Sequence, residues 1–170
     1  MSSENASFES NPFGRRSGKV WGLIIAILWL VAAPYALARE SLHVVEHEAA
    51  DKTKTIHQGG SGESDSVGDT LVFANPLFDS TNARQVGVVQ GSCVRVIVGK
   101  SWECLFSLGI GENRLTLQGT YNDVGESVFA ITGGTGRYTG VRGRMSLRAR
   151  EEKPPGGDQV PTYDMICDIR

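Results

Sequence analysis

The chain is poor in what most catalytic and nucleic-acid-binding chemistries require. It has three histidines in 170 residues, His43, His47 and His57. On a strand the first two share one face while Glu46 and Glu48 take the other, so a metal site is not expected. Basic charge is not in excess. Removing the three basic and two acidic residues of the first 38 leaves 14 Lys and Arg against 17 Asp and Glu, which offers no field for a nucleic-acid backbone. A phosphate loop is missing too: Gly133-Gly134-Thr135-Gly136 has no following Lys-Ser/Thr and lies among strands. It reads as a tight β-turn whose glycines supply positive φ. No motif beside Cys93 or Cys104 marks an activated thiol, so a nucleophilic triad is unsupported. Beyond residue 38 no segment carries a helical apolar stripe.

Long hydrophobic runs are absent with one exception. Val20 to Ala33 reads VWGLIIAILWLVAA, follows Arg15, Arg16 and Lys19, and precedes Ala36-Leu37-Ala38. These are the parts of a secretory signal: residues 1–19 as the cytoplasmic n-region, 20–38 as the hydrophobic and cleavage regions, and 39–170 as the exported domain. The alternative is an uncleaved anchor, because the uncharged stretch from Val20 to Ala38 approaches the roughly 20 residues a spanning helix needs. The basic residues would then keep the N-terminus inside and the domain outside. Pro34 and the Ala-Leu-Ala step favour cleavage. Arg15-Arg16 is followed by Ser17-Gly18-Lys19, which does not fit a twin-arginine signal. In both readings the domain is extracytoplasmic, either secreted or held at the membrane through residues 20–38. Cys93, Cys104 and Cys167 all lie in the exported part, where disulfides persist, and their odd number leaves at least one thiol free or intermolecular.

The remaining length suits one domain. Ala49 to Gly68, rich in Lys, Thr, Gly, Ser and Asp, reads as a long loop. Leu42 to Glu48 alternates as a short strand. From Thr70 onward, β-rich runs are punctuated by Gly, Asn, Asp and Pro: Thr70–Ala74, Gln85–Val98, Trp102–Ile110, Arg114–Tyr121, Ser127–Thr132, Val141–Arg150 and Thr162–Ile169. That makes eight strands in an all-β domain, enough to close a small antiparallel barrel. In Val141–Arg150, Met145 and Leu147 share the inner face and the arginines face water; in the last strand Tyr163, Met165, Cys167 and Ile169 point in. A turn at Gly99-Lys100 would pair the two central runs, with Trp102, Cys104, Phe106 and Leu108 on one face with Cys93, Arg95 and Ile97. Cys93 and Cys104 would then be two positions off register and need local twist to bond, so a bridge and free thiols both remain open. Glu46 shares the inner face with Leu42 and Val44. A carboxylate there costs desolvation energy unless it is paired or protonated, and Arg95 is the candidate pair. The other reading is a frayed first strand with Glu46 in water.

Several blocks carry a family resemblance. Ser66-Val67-Gly68-Asp69, Phe73-Ala74-Asn75-Pro76-Leu77-Phe78-Asp79, Val86-Gly87, Gln90-Gly91-Ser92-Cys93-Val94, Trp102-Glu103, Leu117-Gln118-Gly119, Tyr121 and Phe129 to Gly136 resemble allene oxide cyclase. Gly133-Gly134-Thr135-Gly136-Arg137-Tyr138 through Val141-Arg142-Gly143, with Pro161-Thr162-Tyr163-Asp164, is similar also to the sister dirigent proteins. The resemblance implies an eight-stranded antiparallel barrel whose lumen folds an apolar oxylipin or phenolic molecule, favouring one cyclisation or coupling without a cofactor. It implies catalytic roles for Glu46, as the pocket glutamate, and Asn75, as an asparagine helping to hold a water. Phe73, Cys93, Trp102 and Tyr121 would line the lumen by the same resemblance; Arg95 and Phe106 join them as inward residues. Glu48 stands where the cyclase has a second water-holding asparagine, and Lys54-Thr55 where it has Ser-Pro. The aspartates of dirigent proteins are missing near Ala74-Asn75. The export segment fits dirigent proteins and not a plastid cyclase. The expected partner is an apolar small molecule, with a homo-oligomer, dimer or trimer, compatible. The rival functions are a non-catalytic lipid- or phenolic-binding barrel and a structural surface protein with a solid core.

Overall fold

Short β-branched and aromatic runs, interrupted by glycine, asparagine and aspartate, produce strands joined by tight connections. A computed structural model describes residues 39–58, 65–150 and 160–170. The segments read as signal or anchor, 1–19 and 20–38, lie outside the described residues. The strands are β1 (Glu40–His47), β2 (Thr53–Ile56), β3 (Thr70–Asp79), β4 (Gln85–Ile97), β5 (Ser101–Ile110), β6 (Asn113–Asn122), β7 (Ser127–Thr135), β8 (Gly143–Ala149) and β9 (Thr162–Ile169), with a 3₁₀ turn at Gly136–Tyr138. Among the described residues no helix is long and apolar enough to cross a membrane.

All pairings are antiparallel. Strands β3 to β9 pair in succession, β9 returns along the whole of β1, and β1 meets β3 through Val44–Glu46 opposite Leu77–Asp79. Eight strands thereby close into the expected barrel. The ninth, β2, pairs with Thr70–Phe73 on β3, with β1 taking the same strand further along. Alternation sends Val89, Leu108, Leu115, Leu117, Phe129, Met145 and Met165 into the barrel, each no more than 2% exposed. Phe106 and Phe129 meet edge to face at 4.9 Å. Burying a side chain of this size is worth roughly 1.5–3 kcal/mol. On the outer face Arg144 pairs with Asp168 and Arg148 with Glu126, exposed pairs that add little.

Four expectations need correction. The segment from Ala49 to Gly68 is not all loop, because Thr53–Ile56 forms β2. Strand β3 does not stop at Ala74 but runs through Pro76 to Asp79. The glycines at 133 and 134 are strand residues of β7, and only Gly136, at φ +63°, opens the 3₁₀ turn. The hairpin of β4 and β5 is not the two-residue turn expected: Arg95 faces Trp102 and Ile97 faces Ser101, with a bulge between Arg95 and Ile97. The bulge turns Ile97 out to 52% exposure and, together with a loop one residue longer than expected, brings Cys93 directly opposite Cys104, where they form a disulfide. Cys167 is left as a buried free thiol.

Candidate active site

Period-two alternation along β1 places Val44 and Glu46 inside the barrel, and both are buried. The frayed-strand reading therefore does not describe Glu46, which is 7% exposed. Asn75 enters from β3 and donates from Nδ2 to Glu46 Oε1 at 2.7 Å. Its Oδ1 accepts from the Ala49 backbone at 3.2 Å and from Thr53 Oγ1 at 3.0 Å. A backbone N–H can only donate, so these bonds fix which way the amide faces. The strand β2, which supplies Thr53, thus orients Asn75, and Asn75 orients Glu46. Among the described residues Asn75 is the only hydrogen-bond partner of the Glu46 carboxyl. Burial raises the Glu46 carboxyl to about 7; the bond from Asn75 opposes the shift and the nearby charge of Glu48 adds to it.

The residue two beyond Glu46 shares its face. Glu48 accepts from the Tyr163 hydroxyl at 3.2 Å, and Tyr163 lies within hydrogen-bond reach of Tyr121. Burial pushes both phenols above their ordinary range, so they remain protonated donors at physiological pH. These groups border a cavity of about 130 Å³, lined by Glu46, Glu48, Thr53, Leu71, Phe73, Asn75, Cys93, Cys104, Phe106, Tyr121, Phe129, Leu147, Tyr163 and Met165. An apolar cavity of roughly 150 Å³ holds benzene, so this one suits a single ring. A lumen with that space is not packed solid.

Of the residues expected from sequence, Glu46, Asn75, Phe73, Cys93, Phe106 and Tyr121 come together around the cavity. Cys93 does so as half of a disulfide. Arg95 and Trp102 do not line it. Nor is Arg95 the partner of Glu46: its Nε bonds Asp65 at 2.6 Å and its Nη1 bonds both oxygens of Asp123 at 2.7 Å. Its guanidinium lies 3.9 Å from the Trp102 ring centroid, and Trp102 Nε1 donates to Asp123 at 3.1 Å. Two carboxylates and a ring face satisfy the charge near the ends of β4 and β5, leaving it nothing to seek in the lumen. Among the described residues no group of three metal-binding side chains converges; His43, His47 and His57 bond separately to Asp164, Asn82 and Asp69.

Sequence reasoning missed Thr53, because a four-residue strand beside a glycine-rich stretch carries no periodic signal. It placed Tyr163, Leu147 and Met165 inside by parity but gave them no role. Parity also puts Glu48 beside Glu46.

The family model described as allene oxide cyclase matches residues 37–150. Among solved structures the chain is similar to a pterocarpan synthase dirigent protein, at 17% identity and TM-score 0.61, covering 78% of this chain and 96% of that one. It is similar to pyocyanin demethylase at 18% identity and TM-score 0.58, covering 77% and 100%. A Diels–Alderase from Streptomyces koyangensis matches at 15% identity and TM-score 0.57, covering 91% and 83%.

Proposed function

The chain belongs to the allene oxide cyclase family, and from that premise we propose that its lumen binds an apolar, ring-forming small molecule and steers a stereoselective cyclisation or coupling, without a cofactor. The observation that carries the reading is the Glu46 carboxyl, buried beside a cavity and held by Asn75. With its proton affinity raised to about 7, Glu46 exists in both forms near neutrality. Its acid form donates to an oxygen that gains charge in the transition state, and its carboxylate accepts the proton back. Phe73, Phe106 and Phe129 restrict the conformations open to a bound chain, which lowers the entropic part of the barrier. Two structures that share the fold are a pterocarpan synthase dirigent protein and a Diels–Alderase; a Diels–Alder reaction closes a ring, which supports this class of reaction.

Chiral product analysis with an allene oxide made from a fatty-acid hydroperoxide, and with coniferyl alcohol plus an oxidase, tests the reading. Enantiomeric excess in one of them is expected; racemic product from both would leave a non-catalytic binding barrel. That second reading has one observation in its favour: Glu48 stands where the family resemblance has a water-holding asparagine. Glu46→Ala should lower turnover about 10²-fold while ligand affinity is largely kept. Loss of both together would make Glu46 a structural carboxylate.

The domain acts outside the cytoplasmic membrane in this reading, supported by residues 20–38 and by the Cys93–Cys104 disulfide, a bond that persists in oxidising compartments. N-terminal sequencing of the protein recovered from cells separates cleavage after Ala38 from a retained anchor. A homo-oligomer is supported by exposed Val72, Val88, Val94 and Leu105 on β3, β4 and β5; light scattering at increasing concentration tests it.

A further inference from the structure

Among the described residues, two carboxylates reach one cavity and no basic side chain does. Glu46 and Glu48 both line it, and its walls include the rings of Phe73, Phe106 and Phe129. Neither carboxylate has an ion-pair partner among the described residues. Asn75 occupies Oε1 of Glu46 and Tyr163 occupies Oε2 of Glu48, which leaves the other oxygen of each for a ligand. Arg95, the basic side chain that parity would send inward, is committed to Asp65 and Asp123. Negative charge beside aromatic faces is the environment that receives an organic cation: the carboxylates answer its charge and the ring quadrupoles its bulk. A ligand carboxylate placed beside Glu46 and Glu48 would meet like charge where water screens it poorly.

We propose that the lumen is a receptor for an organic cation of single-ring size, a ligand whose protonated or quaternary nitrogen sits beside Glu46 and Glu48. This rests on the reading of the cavity as the ligand site and adds one cationic nitrogen to the otherwise apolar, ring-bearing ligand proposed for it. Among the described residues the titratable groups facing Glu46 are Glu48 from the segment after β1, Tyr121 from β6 and Tyr163 from β9. Asn75, from β3, does not titrate. Deprotonation of Glu46 therefore adds negative charge that no neighbouring titration cancels.

Calorimetric titration of the full chain with three molecules of nearly one shape tests the proposal: N-methylpyridinium as permanent cation, toluene as neutral and benzoate as anion. At pH 8 N-methylpyridinium should bind about ten-fold more tightly than toluene, with benzoate weakest. The advantage over toluene should shrink at pH 5, and Glu48→Gln should reduce it, read as the ratio of the two affinities within each protein. The pH arm uses the unaltered protein and so does not depend on the variant folding. Toluene or benzoate binding as tightly as the cation would overturn the proposal and leave the cavity as a ligand site. If none of the three bound, the ligand-site reading would fall and this proposal with it.

Discussion

Glu46 keeps its proton to a higher pH than an exposed glutamate, and that difference is written into stability as well as chemistry. Its carboxyl is raised from 4.5 to about 7 in the folded chain. Between those values the native state holds a proton that the unfolded state has released, so stability falls as pH rises through that window. The cost at pH 8 is roughly 3 kcal/mol, and it is fully relieved only below about 4.5, the unfolded value. Glu46→Gln, which keeps an acceptor for Asn75 and cannot ionise, should raise the urea midpoint at pH 8. The gain over the parent should be much smaller at pH 5. Cys167 makes a second test. Burial pushes its thiol up to about 12, and it is the free cysteine. Iodoacetamide should leave the native protein unlabelled and add one adduct after unfolding without reductant, as read by intact mass. The inward direction of Glu46 was legible because parity is a local property. The commitment of Arg95 was not, because Asp65 and Asp123 lie about thirty residues away on either side and only the closed barrel brings the three together.

Between strands, the pairing of β4 with β5 positions much of the lumen wall. At Gly91 an added Cβ would come 2.3 Å from Phe106 Cβ and 2.5 Å from the Leu105 carbonyl oxygen. Gly91→Ala should therefore cost about 1–3 kcal/mol in denaturant unfolding. The Cys93–Cys104 disulfide closes a short loop across the same pair, and Cys93→Ser with Cys104→Ser should lower stability by about 2–3 kcal/mol. The long central strands, the last strand and the barrel class could be read from alternation and turn residues. The bulge before Ile97 could not, since nothing local in Arg95-Val96-Ile97 announces an extra residue; it reversed the expected direction of Ile97 and, with the three-residue loop, set the register of the cysteines. Strand β3 looked as if it must end before Pro76, which cannot donate to a ladder. It continues because β2 pairs as far as Phe73 and β1 begins at Leu77, so Pro76 falls in the gap between two partners. Asn75 falls in the same gap, which is why the residue that orients Glu46 was legible by resemblance and not by periodicity.

Closure of the whole molecule depends on its last strand. β9 lies between β8 and β1, so a chain ending before Thr162 would expose two unpaired edges. Such a truncation should fail to give the native circular dichroism spectrum and should aggregate on size-exclusion chromatography. Pairing β1 with β9 also joins segments more than a hundred residues apart, a topology that folds slowly. The ring is not equally strong all round. The join of β1 to β3 covers only Val44 to Glu46, while the join to β9 runs from Glu40 to His47. That short weld is where the wall should breathe first, so amide hydrogens along it should exchange with solvent deuterium sooner than those of β4 to β6. Glu46 forms its final rung, so the group that meets the guest is also part of the latch, and an occupied lumen should slow the exchange there.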